Sequence, residues 1–347
     1  MVAPRRTQRS LIFEVTQRCN HDCLYCYNAW KNPVAYPSGE LSPADTLHLL
    51  GKALDETGAR LVSLSGGEPL SRPDIHEIIA FLRGRGVVVN LITNGTLLTP
   101  KTIARLVPDR ISIFELPLLS ADREVHDRMS QKAGAFDRVV EAMVDLKQAG
   151  QRVVGVFVAT RLNLPTWRRT AELAVALGID GVMFNRFNPG GRGRENVGLL
   201  QASPAEVQSA LDVAEEVSSR YGIPINCSIA MPPCLIATSR YKRLSFGFCA
   251  AGTERAYYTI DPLGNVRPCN HTPTILGNLR ETGFWDLAGS ERMCGFMAAR
   301  PASCAGCARE DECLGGCKAA SEACFGSPTA TDPFVLAYQD QVVKPTA

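Results

Sequence analysis

The sequence predicts an α/β fold, a partial (β/α)6 barrel of the TIM type, followed by a cysteine-rich C-terminal extension. Six short apolar segments alternate with six helical segments over residues 11–221, which is typical of parallel strands joined by right-handed crossovers. Six such units form an open barrel rather than a closed eight-fold one. Ten of the 13 cysteines lie between Cys227 and Cys324. We therefore predict a barrel domain over residues 1–230 and a cysteine-rich domain over residues 231–347.

The elements of the barrel can be placed in chain order. The predicted strands cover residues 11–16, 60–64, 87–92, 110–116, 152–159 and 181–187, and the predicted helices cover residues 43–57, 75–83, 100–106, 136–148, 166–177 and 204–221. Ser42 is a suitable N-cap for the first helix, and Pro43 suits its first position. In such folds ligands bind at the carboxyl ends of the strands, so loops that follow strands are where we expect the functional residues.

The loop after the first strand carries three cysteines in eight residues, with the spacing C-x3-C-x2-C: Cys19, Cys23 and Cys26. Three thiolates can hold three irons of a [4Fe–4S] cluster and leave the fourth iron open to another ligand. A disulfide with one spare thiol and a zinc knuckle are the alternatives. Nothing else in the sequence indicates secretion, and zinc knuckles usually supply paired C-x2-C units or histidines. The spacing therefore favours an iron–sulfur cluster.

Two further segments follow neighbouring strands at the same predicted edge. Residues 65–69 (SGGEP) follow the second strand, and residues 93–95 (TNG) follow the third. Adjacent glycines let the backbone approach a ligand closely, and the carboxylate of Glu68 can accept from an ammonium group. Each segment alone is also an ordinary turn. Their shared edge with the cysteine loop indicates a common ligand site.

With these motifs the chain resembles the radical S-adenosylmethionine (radical SAM) superfamily. The resemblance implies that the three cysteines, with Tyr25 at the usual aromatic position, bind the cluster, and that the GGEP segment contacts the methionine ammonium of SAM: Gly66, Gly67, Glu68 and Pro69. Residues after strands three to six would contact the ribose and carboxylate of SAM: Thr93, Asn94, Glu115, Asn163 and Arg186. Glu115 is a departure, because many relatives carry a serine-rich strand there. It would face a ligand or pair with a strand arginine.

The C-terminal cysteines form a second pattern: Cys249-x14-Gly264-x4-Cys269, then Cys304-x2-Cys307-x5-Cys313-x3-Cys317, then Cys324. Thiols this dense, among glycines and with few large apolar residues, indicate metal sites, and a zinc ribbon-like site is the alternative to iron–sulfur clusters. The full pattern resembles the SPASM extension of radical SAM proteins, with a small β-hairpin over residues 257–265 and two auxiliary [4Fe–4S] clusters.

The SPASM resemblance also implies which cysteines bind which cluster. Cys249, Cys269 and Cys317 would bind the first auxiliary cluster, and Cys304, Cys307, Cys313 and Cys324 the second. The first cluster then lacks a fourth protein ligand. Cys234 is the favoured candidate, and Cys294 or an open iron are the alternatives. Cys227 lies in an apolar run and is expected in the core.

The resemblance implies three [4Fe–4S] clusters and reductive cleavage of SAM to a 5′-deoxyadenosyl radical, which abstracts hydrogen from a substrate C–H bond. The expected reaction is oxidative modification of a peptide or protein side chain, by cross-linking or dehydrogenation. The alternative is dehydrogenation or epimerisation of a small molecule such as a sugar or aminocyclitol, and a non-catalytic metal scaffold is disfavoured by the intact motifs. Glu115 and Asn270 are the candidate catalytic residues; sulfatase-maturing relatives carry an acidic residue where this chain has Asn270.

Partners and setting follow from the same reasoning. We expect a flavodoxin- or ferredoxin-type electron donor and, because the first strand begins by residue 11, a separate leader-peptide-binding protein for a peptide substrate. The net charge of +2 and the absence of a long apolar run disfavour nucleic acid and membranes. No signal peptide is recognisable, so we expect a cytoplasmic, oxygen-sensitive enzyme. The arginines of residues 185–194 are expected to bind a carboxylate or lie in a solvated loop, and His126 is expected at the surface.

Overall fold

The computed structural model describes residues 7–31, 36–253 and 255–342. Its strands are β1 (Ser10–Glu14), β2 (Leu61–Ser65), β3 (Val88–Ile92), β4 (Ile113–Pro117), β5 (Val153–Ala159), β6 (Gly181–Arg186), β7 (Ile225–Cys227), β8 (Leu244–Phe246), β9 (Thr259–Ile260), β10 (Asn265–Arg267) and β11 (Gly277–Asn278). Its α-helices are α1 (Pro43–Thr57), α2 (Ile75–Gly84), α3 (Pro100–Leu106), α4 (Arg123–Ser130), α5 (Ala135–Gln148), α6 (Trp167–Ala176), α7 (Val197–Leu200), α8 (Pro204–Tyr221), α9 (Phe284–Ala288), α10 (Glu291–Ala298), α11 (Glu310–Cys313), α12 (Lys318–Phe325) and α13 (Pro333–Ala337).

The strands form one eleven-stranded sheet in the order β11-β10-β9-β1-β2-β3-β4-β5-β6-β7-β8. Strands β1 to β8 are parallel to their neighbours, and β9 adds to the other side of β1, also parallel. Strands β9 and β10 form the predicted antiparallel hairpin, which β11 extends. In the described part of the chain β8 and β11 are the two edges, so the barrel is open, as predicted.

All six predicted strands and all six predicted helices are present, because their local signals are strong. Ser42 accepts from the backbone N–H of Asp45 at 3.2 Å, with Pro43 at the first helical position. Helix α8 begins with a capping box between Ser203 and Glu206. These caps satisfy backbone donors that have no partner within the helix, so both helices begin at the predicted residues.

Several short elements lie outside the six predicted strands and six predicted helices. Strand β7 falls within the apolar run that contains Cys227, whereas strands β8 and β11 and helix α4 have no counterpart in the sequence interpretation. Strand β8 has three residues and no α-helix separates it from β7, so it lacks the alternation that identified the six barrel strands. Helix α4 places His126 in the interior, with 0% of its surface exposed and its ring edge-on to Phe136. The expectation that His126 lies at the surface was therefore wrong, because α4 turns this side chain inward onto the backbone carbonyl of Pro117 (3.4 Å).

The alternation along β5 shows how the sheet separates the core from the barrel interior. Val153, Phe157 and Ala159 are buried among the helices, whereas Val156 and Val158 face the interior and line its cavity. The sheet also continues past residue 230, since β8 pairs with β7 and β9 pairs with β1. The two-domain division at that residue stays a prediction. None of the described helices is long and apolar enough to cross a membrane.

Candidate active site at the open end of the barrel

A cavity of about 250 Å³ lies where the carboxyl ends of the strands meet the cysteine loop. It brings together most of the residues singled out in the sequence: Cys19, Cys23, Tyr25, Cys26, Gly66, Gly67, Thr93, Asn94, Glu115, Arg186 and Asn270. Glu68, Pro69 and Asn163 are not on its wall. Apolar side chains of three strands line the deeper part, among them Ile92, Val156 and Met183. The cavity is therefore polar at the cysteine loop and apolar within the barrel.

The three thiols of the cysteine loop lie side by side on this wall. Burial raises the pKa of Cys26 to about 11, and the neighbouring charge of Cys19 adds to the shift. Burial also raises the pKa of Cys23, and the charges of Cys26 and Cys19 raise it further. All thirteen cysteines are free thiols. Within the described ranges, no group of three or more His, Cys, Asp or Glu side chains is arranged to hold a single metal ion. Three adjacent sulfurs facing a cavity fit a [4Fe–4S] cluster with one open iron.

The two glycines after β2 are required by contact with the cysteine loop. A Cβ atom on Gly66, which has φ of +130°, would lie 2.4 Å from the carbonyl oxygen of Thr16, and one on Gly67 would lie 2.0 Å from that of Arg18. The backbone N–H of Gly67 donates to Thr16 at 2.7 Å. The two glycines thus let the backbone after β2 lie against the backbone that leads into the cysteine loop. The sequence predicted a close approach to a ligand, and the structure shows a close approach to this loop as well.

Glu68 occupies a different place from the one its motif suggested. Its side chain is fully buried and accepts hydrogen bonds from the Thr93 hydroxyl (2.7 Å) and from the backbone N–H groups of Asn94 (2.7 Å) and Leu70 (3.0 Å). Burial raises its pKa, which these hydrogen bonds partly offset. The carboxylate therefore holds the turn after β3 against the segment after β2, and through that turn it positions Thr93 and Asn94 on the cavity wall.

Glu115 faces the cavity from β4. Within the described residues its carboxylate makes no hydrogen bond or ion pair, so the alternative of a salt bridge to a strand arginine finds no support. Its surroundings on the wall include Ile92, Pro117 and Val156. Burial raises the pKa of Glu115 to about 7. An acid in this setting changes its charge near neutral pH and can serve as a proton acceptor or bind a cation.

Two of the residues expected to contact SAM have protein partners instead. Asn163 is fully buried, and its amide donates to the carbonyl oxygens of Leu119 (2.7 Å) and Val158 (2.9 Å), so it fixes the turn after β5. Arg186 reaches the cavity wall, but its guanidinium donates to the carbonyl oxygen of Ala230 at 2.6 Å and forms a buried ion pair with Asp332. Its positive charge is therefore largely neutralised.

The arginines after β6 have protein partners, so the segment is not a solvated loop; their binding of a carboxylate ligand stays a prediction. Residues 191–196 form a short 3-10 helix, in which Gly193 donates to the carbonyl oxygen of Cys26 at 2.9 Å. Arg192 pairs with Asp22 of the cysteine loop, and Arg194 donates to the carbonyl oxygen of Ala323 at 3.3 Å. The segment therefore contacts both the cysteine loop and helix α12.

A group of polar side chains on the cavity wall joins Asn270 to three residues that sequence reasoning did not single out. Asn188 donates to Nδ1 of His271 at 3.1 Å, His271 stacks on Tyr27 with 3.9 Å between ring centroids, and Asn270 donates to the Tyr27 hydroxyl at 2.9 Å. Burial lowers the pKa of His271 to about 3. For those three residues the only signal in the sequence was position: Tyr27 directly follows Cys26, Asn188 lies two residues after β6, and His271 lies two residues after Cys269.

The C-terminal cysteines fall into two neighbourhoods. Burial raises the pKa of Cys269, and the charges of Cys317 and Cys249 raise it further, which fits the first expected set. The resemblance favours Cys234 as the fourth ligand of that set, but burial raises its pKa to about 12 and the charges of Cys313, Cys304 and Cys307 raise it further.

The other three cysteines of this part of the chain have different surroundings. Cys324, in the last turn of α12, has Arg194, Asp332 and Cys317 as its charged neighbours. Cys227 is buried as expected, and Cys294 is exposed. The charged neighbours of Cys234 are thus three of the four thiols expected in the second set.

Comparison with known proteins gives the same picture as the geometry. Residues 13–174 match the profile of the Radical SAM superfamily, and residues 249–308 match SPASM, an iron–sulfur cluster-binding domain. A PqqA peptide cyclase of Ruegeria pomeroyi is 30% identical over 93% of this chain and 86% of its own. An AdoMet-dependent heme synthase of Methanosarcina barkeri is 28% identical over 97% of this chain and 98% of its own.

Solved structures share the fold at lower identity. SuiB of Streptococcus suis, bound to the precursor peptide SuiA, has a TM-score of 0.71 and 16% identity and covers 95% of this chain and 76% of its own. Native anSMEcpe with bound AdoMet has a TM-score of 0.72 and 16% identity, with 96% of this chain and 95% of its own covered. At these identities the likeness concerns the fold.

Proposed function

The chain belongs to the radical SAM superfamily and is an enzyme of its SPASM group, and on that premise we propose that it oxidatively modifies a peptide or protein side chain. The observation that carries the proposal is one cavity lined by Cys19, Cys23 and Cys26 together with Gly66 and Gly67. When bound there, a reduced [4Fe–4S] cluster supplies one electron that breaks a C–S bond of SAM into methionine and a 5′-deoxyadenosyl radical, which takes hydrogen from substrate.

The chain's own residues would bind SAM, orient the substrate and shield the reacting atoms from water. Glu68 fixes the turn that carries Thr93 and Asn94, and these two face the place proposed for SAM. Ile92, Val156 and Met183 line the interior with apolar groups that exclude water from the reacting atoms. The catalytic base is proposed to be Glu115, because it is the unpaired acid of the wall with a pKa of about 7.

We propose two auxiliary clusters, which makes three [4Fe–4S] clusters in all. Cys249, Cys269 and Cys317 would bind the first, as the family pattern implies, and the mutual charge effects on Cys269 support this set. For the second cluster we propose Cys234 with Cys304, Cys307 and Cys313, in place of the set that includes Cys324. The charges of these three thiols raise the pKa of Cys234. None of the three is among the charges that shift the pKa of Cys324.

Several observations favour a peptide as substrate. A relative of 30% identity is a PqqA peptide cyclase, and a structure of the same fold, SuiB, was solved with a precursor peptide. On this basis we also propose a separate leader-peptide-binding protein, a flavodoxin- or ferredoxin-type donor for the electron, and a cytoplasmic location.

A small-molecule substrate is the second candidate. The full-length match to an AdoMet-dependent heme synthase, over 98% of that chain, favours it. A peptide presents backbone amide groups to the cavity wall, whereas a small molecule need not. Binding of an amide in the cavity therefore distinguishes the two candidates.

The proposal is tested by anaerobic reconstitution, iron counting and assay of 5′-deoxyadenosine with dithionite and SAM. We expect about twelve irons per chain for three clusters, and loss of 5′-deoxyadenosine when Cys19, Cys23 and Cys26 are replaced by alanine. Cys227→Ala is the matched control, since this thiol is buried away from the cavity. Iron near four per chain would contradict the three clusters, and SAM cleavage in the triple variant would refute the site.

A further inference from the structure

Asn188 and His271 form a polar pair on the cavity wall between the radical-cluster cysteines and those of the C-terminal domain. Tyr27 follows Cys26 directly and stacks on His271, which lies two residues after Cys269. Asn188 is 5% exposed, and its Oδ1 is buried with no hydrogen-bond partner. Both residues line the cavity. A buried, unpaired acceptor at this place indicates a ligand group that would satisfy it.

The hydrogen bond between the two side chains fixes what each one offers. The amide nitrogen of Asn188 can only donate, so Nδ1 of His271 accepts and the ring is neutral, with its proton on Nε2. In the described ranges no protein group bonds to that Nε2. The pair thus presents an acceptor, Oδ1 of Asn188, beside a donor, Nε2–H of His271. Turning the amide over exchanges the two roles, and the pair still offers one of each.

One acceptor beside one donor is complementary to an amide, which carries an N–H and a C=O. A carboxylate only accepts and an ammonium only donates, so either would leave one member of the pair unsatisfied in a buried site. The nearby cations are already paired, Arg186 with Asp332 and Arg267 with Glu14. This part of the wall is therefore neutral, which disfavours a charged ligand group.

We propose that Asn188 and His271 are a specificity subsite that hydrogen-bonds one amide group of the substrate, a peptide group. The inference rests on the proposed function and deepens it, since it names the group by which a peptide is held beside the radical site. The pair would orient the substrate and would not take part in bond breaking.

The test uses the reconstituted, dithionite-reduced holoenzyme with S-adenosylhomocysteine, which cannot undergo the radical cleavage. Reduced clusters are paramagnetic, so they speed the nuclear relaxation of small molecules that bind close by. The probes are N-methylacetamide, acetate, methylammonium and ethylene glycol. We expect N-methylacetamide to show the largest enhancement in the wild-type enzyme, and Asn188→Leu to lower it about fivefold or more.

Gln201→Leu is the matched control, because Gln201 is also a buried amide with an unpaired oxygen but lies off the cavity. It should leave the relaxation of N-methylacetamide unchanged. In the wild-type enzyme, an enhancement for acetate or methylammonium equal to that for N-methylacetamide would overturn the proposal, and so would a larger enhancement for ethylene glycol. These outcomes do not depend on whether a variant folds. An unchanged signal in folded Asn188→Leu would also overturn the proposal. Failure of the 5′-deoxyadenosine assay would count against the proposed function and not against this subsite.

Discussion

Glu68 and Glu115 are acids near the same end of the barrel, and their surroundings give them different roles. Three donors satisfy the carboxylate of Glu68, so it acts as a fixed link between two loops. Glu115 has no such donors, and desolvation alone raises its pKa to about 7. Hydrogen bonding stabilises a buried carboxylate, whereas burial without partners favours its neutral form.

The Glu115→Gln variant should be more stable than the wild type at pH 8, and the gain should shrink at lower pH. The raised pKa means that the folded state is penalised once the acid ionises. The penalty is absent below the ordinary pKa of 4.5, grows up to about pH 7 and is constant above it. We expect a gain of about 1–3 kcal/mol at pH 8, measured by anaerobic thermal unfolding at pH 5.5 and pH 8. Exposed Glu77, replaced by Gln, is the control; equal gains at both pH values would contradict the assignment.

At the scale of elements, the cysteine loop is held by its neighbours as much as by its own sequence. The 3-10 helix of residues 191–196 packs on it through glycines, and a Cβ atom on Gly191 would lie 2.3 Å from the carbonyl oxygen of Asn28. Gly191 also has φ of +44°, which side chains rarely adopt.

Gly191→Ala should therefore displace the cysteine loop and weaken its cluster. Strain and the backbone clash together should cost about 1–3 kcal/mol. The measurements are the iron content and the visible absorbance of the clusters after reconstitution. Gly198→Ala is the control, since nothing lies within 4 Å of that position and its φ is not positive. Equal iron content in both variants would show that this packing does not support the cluster.

The second auxiliary cluster gives a test at the same scale. Cys234→Ala should lower the iron content by about four atoms per chain, because its thiol lies among Cys313, Cys304 and Cys307. Cys324→Ala should keep the second cluster. Mössbauer and electron paramagnetic resonance spectra of both variants distinguish the sites. If Cys324→Ala loses that cluster and Cys234→Ala keeps it, the proposal is wrong and the ligands are those that the family pattern implies, with Cys324 in place of Cys234.

At the scale of the whole molecule, the buried ion pair of Arg186 and Asp332 joins the barrel to the C-terminal segment. Asp332 also accepts from the backbone N–H of Cys317 at 2.8 Å, and Phe334 lies under the guanidinium. The pair therefore connects the end of β6, at the cavity, with a cysteine proposed to bind the first auxiliary cluster.

Asp332→Asn should destabilise the whole protein, because it leaves the charge of Arg186 buried and unpaired. Removing one partner of a buried pair costs about 3–5 kcal/mol. Anaerobic thermal unfolding is the measurement, and Asp340→Asn, at an exposed position, is the control. A temperature of half-unfolding that matches the control would show that the pair does not hold the two parts together.

Sequence reasoning succeeded where the signal is local or belongs to a dense motif. Helix α1, with Ser42 and Pro43 at its start, and the spacing of Cys19, Cys23 and Cys26 are signals of this kind. It failed for β8, which is too short to show a period, and for His126, whose burial depends on how α4 packs.

The sequence by itself determined the alternating α/β architecture and the family, because periodicity, caps and motif spacing act within a few residues. Only the tertiary structure decided that Glu68 holds a loop, that Arg186 is neutralised by Asp332, and that Cys313, Cys304 and Cys307 are the charged neighbours of Cys234. It also brought Asn188 to His271, 83 residues away. Contacts between distant segments depend on packing, which no local pattern encodes.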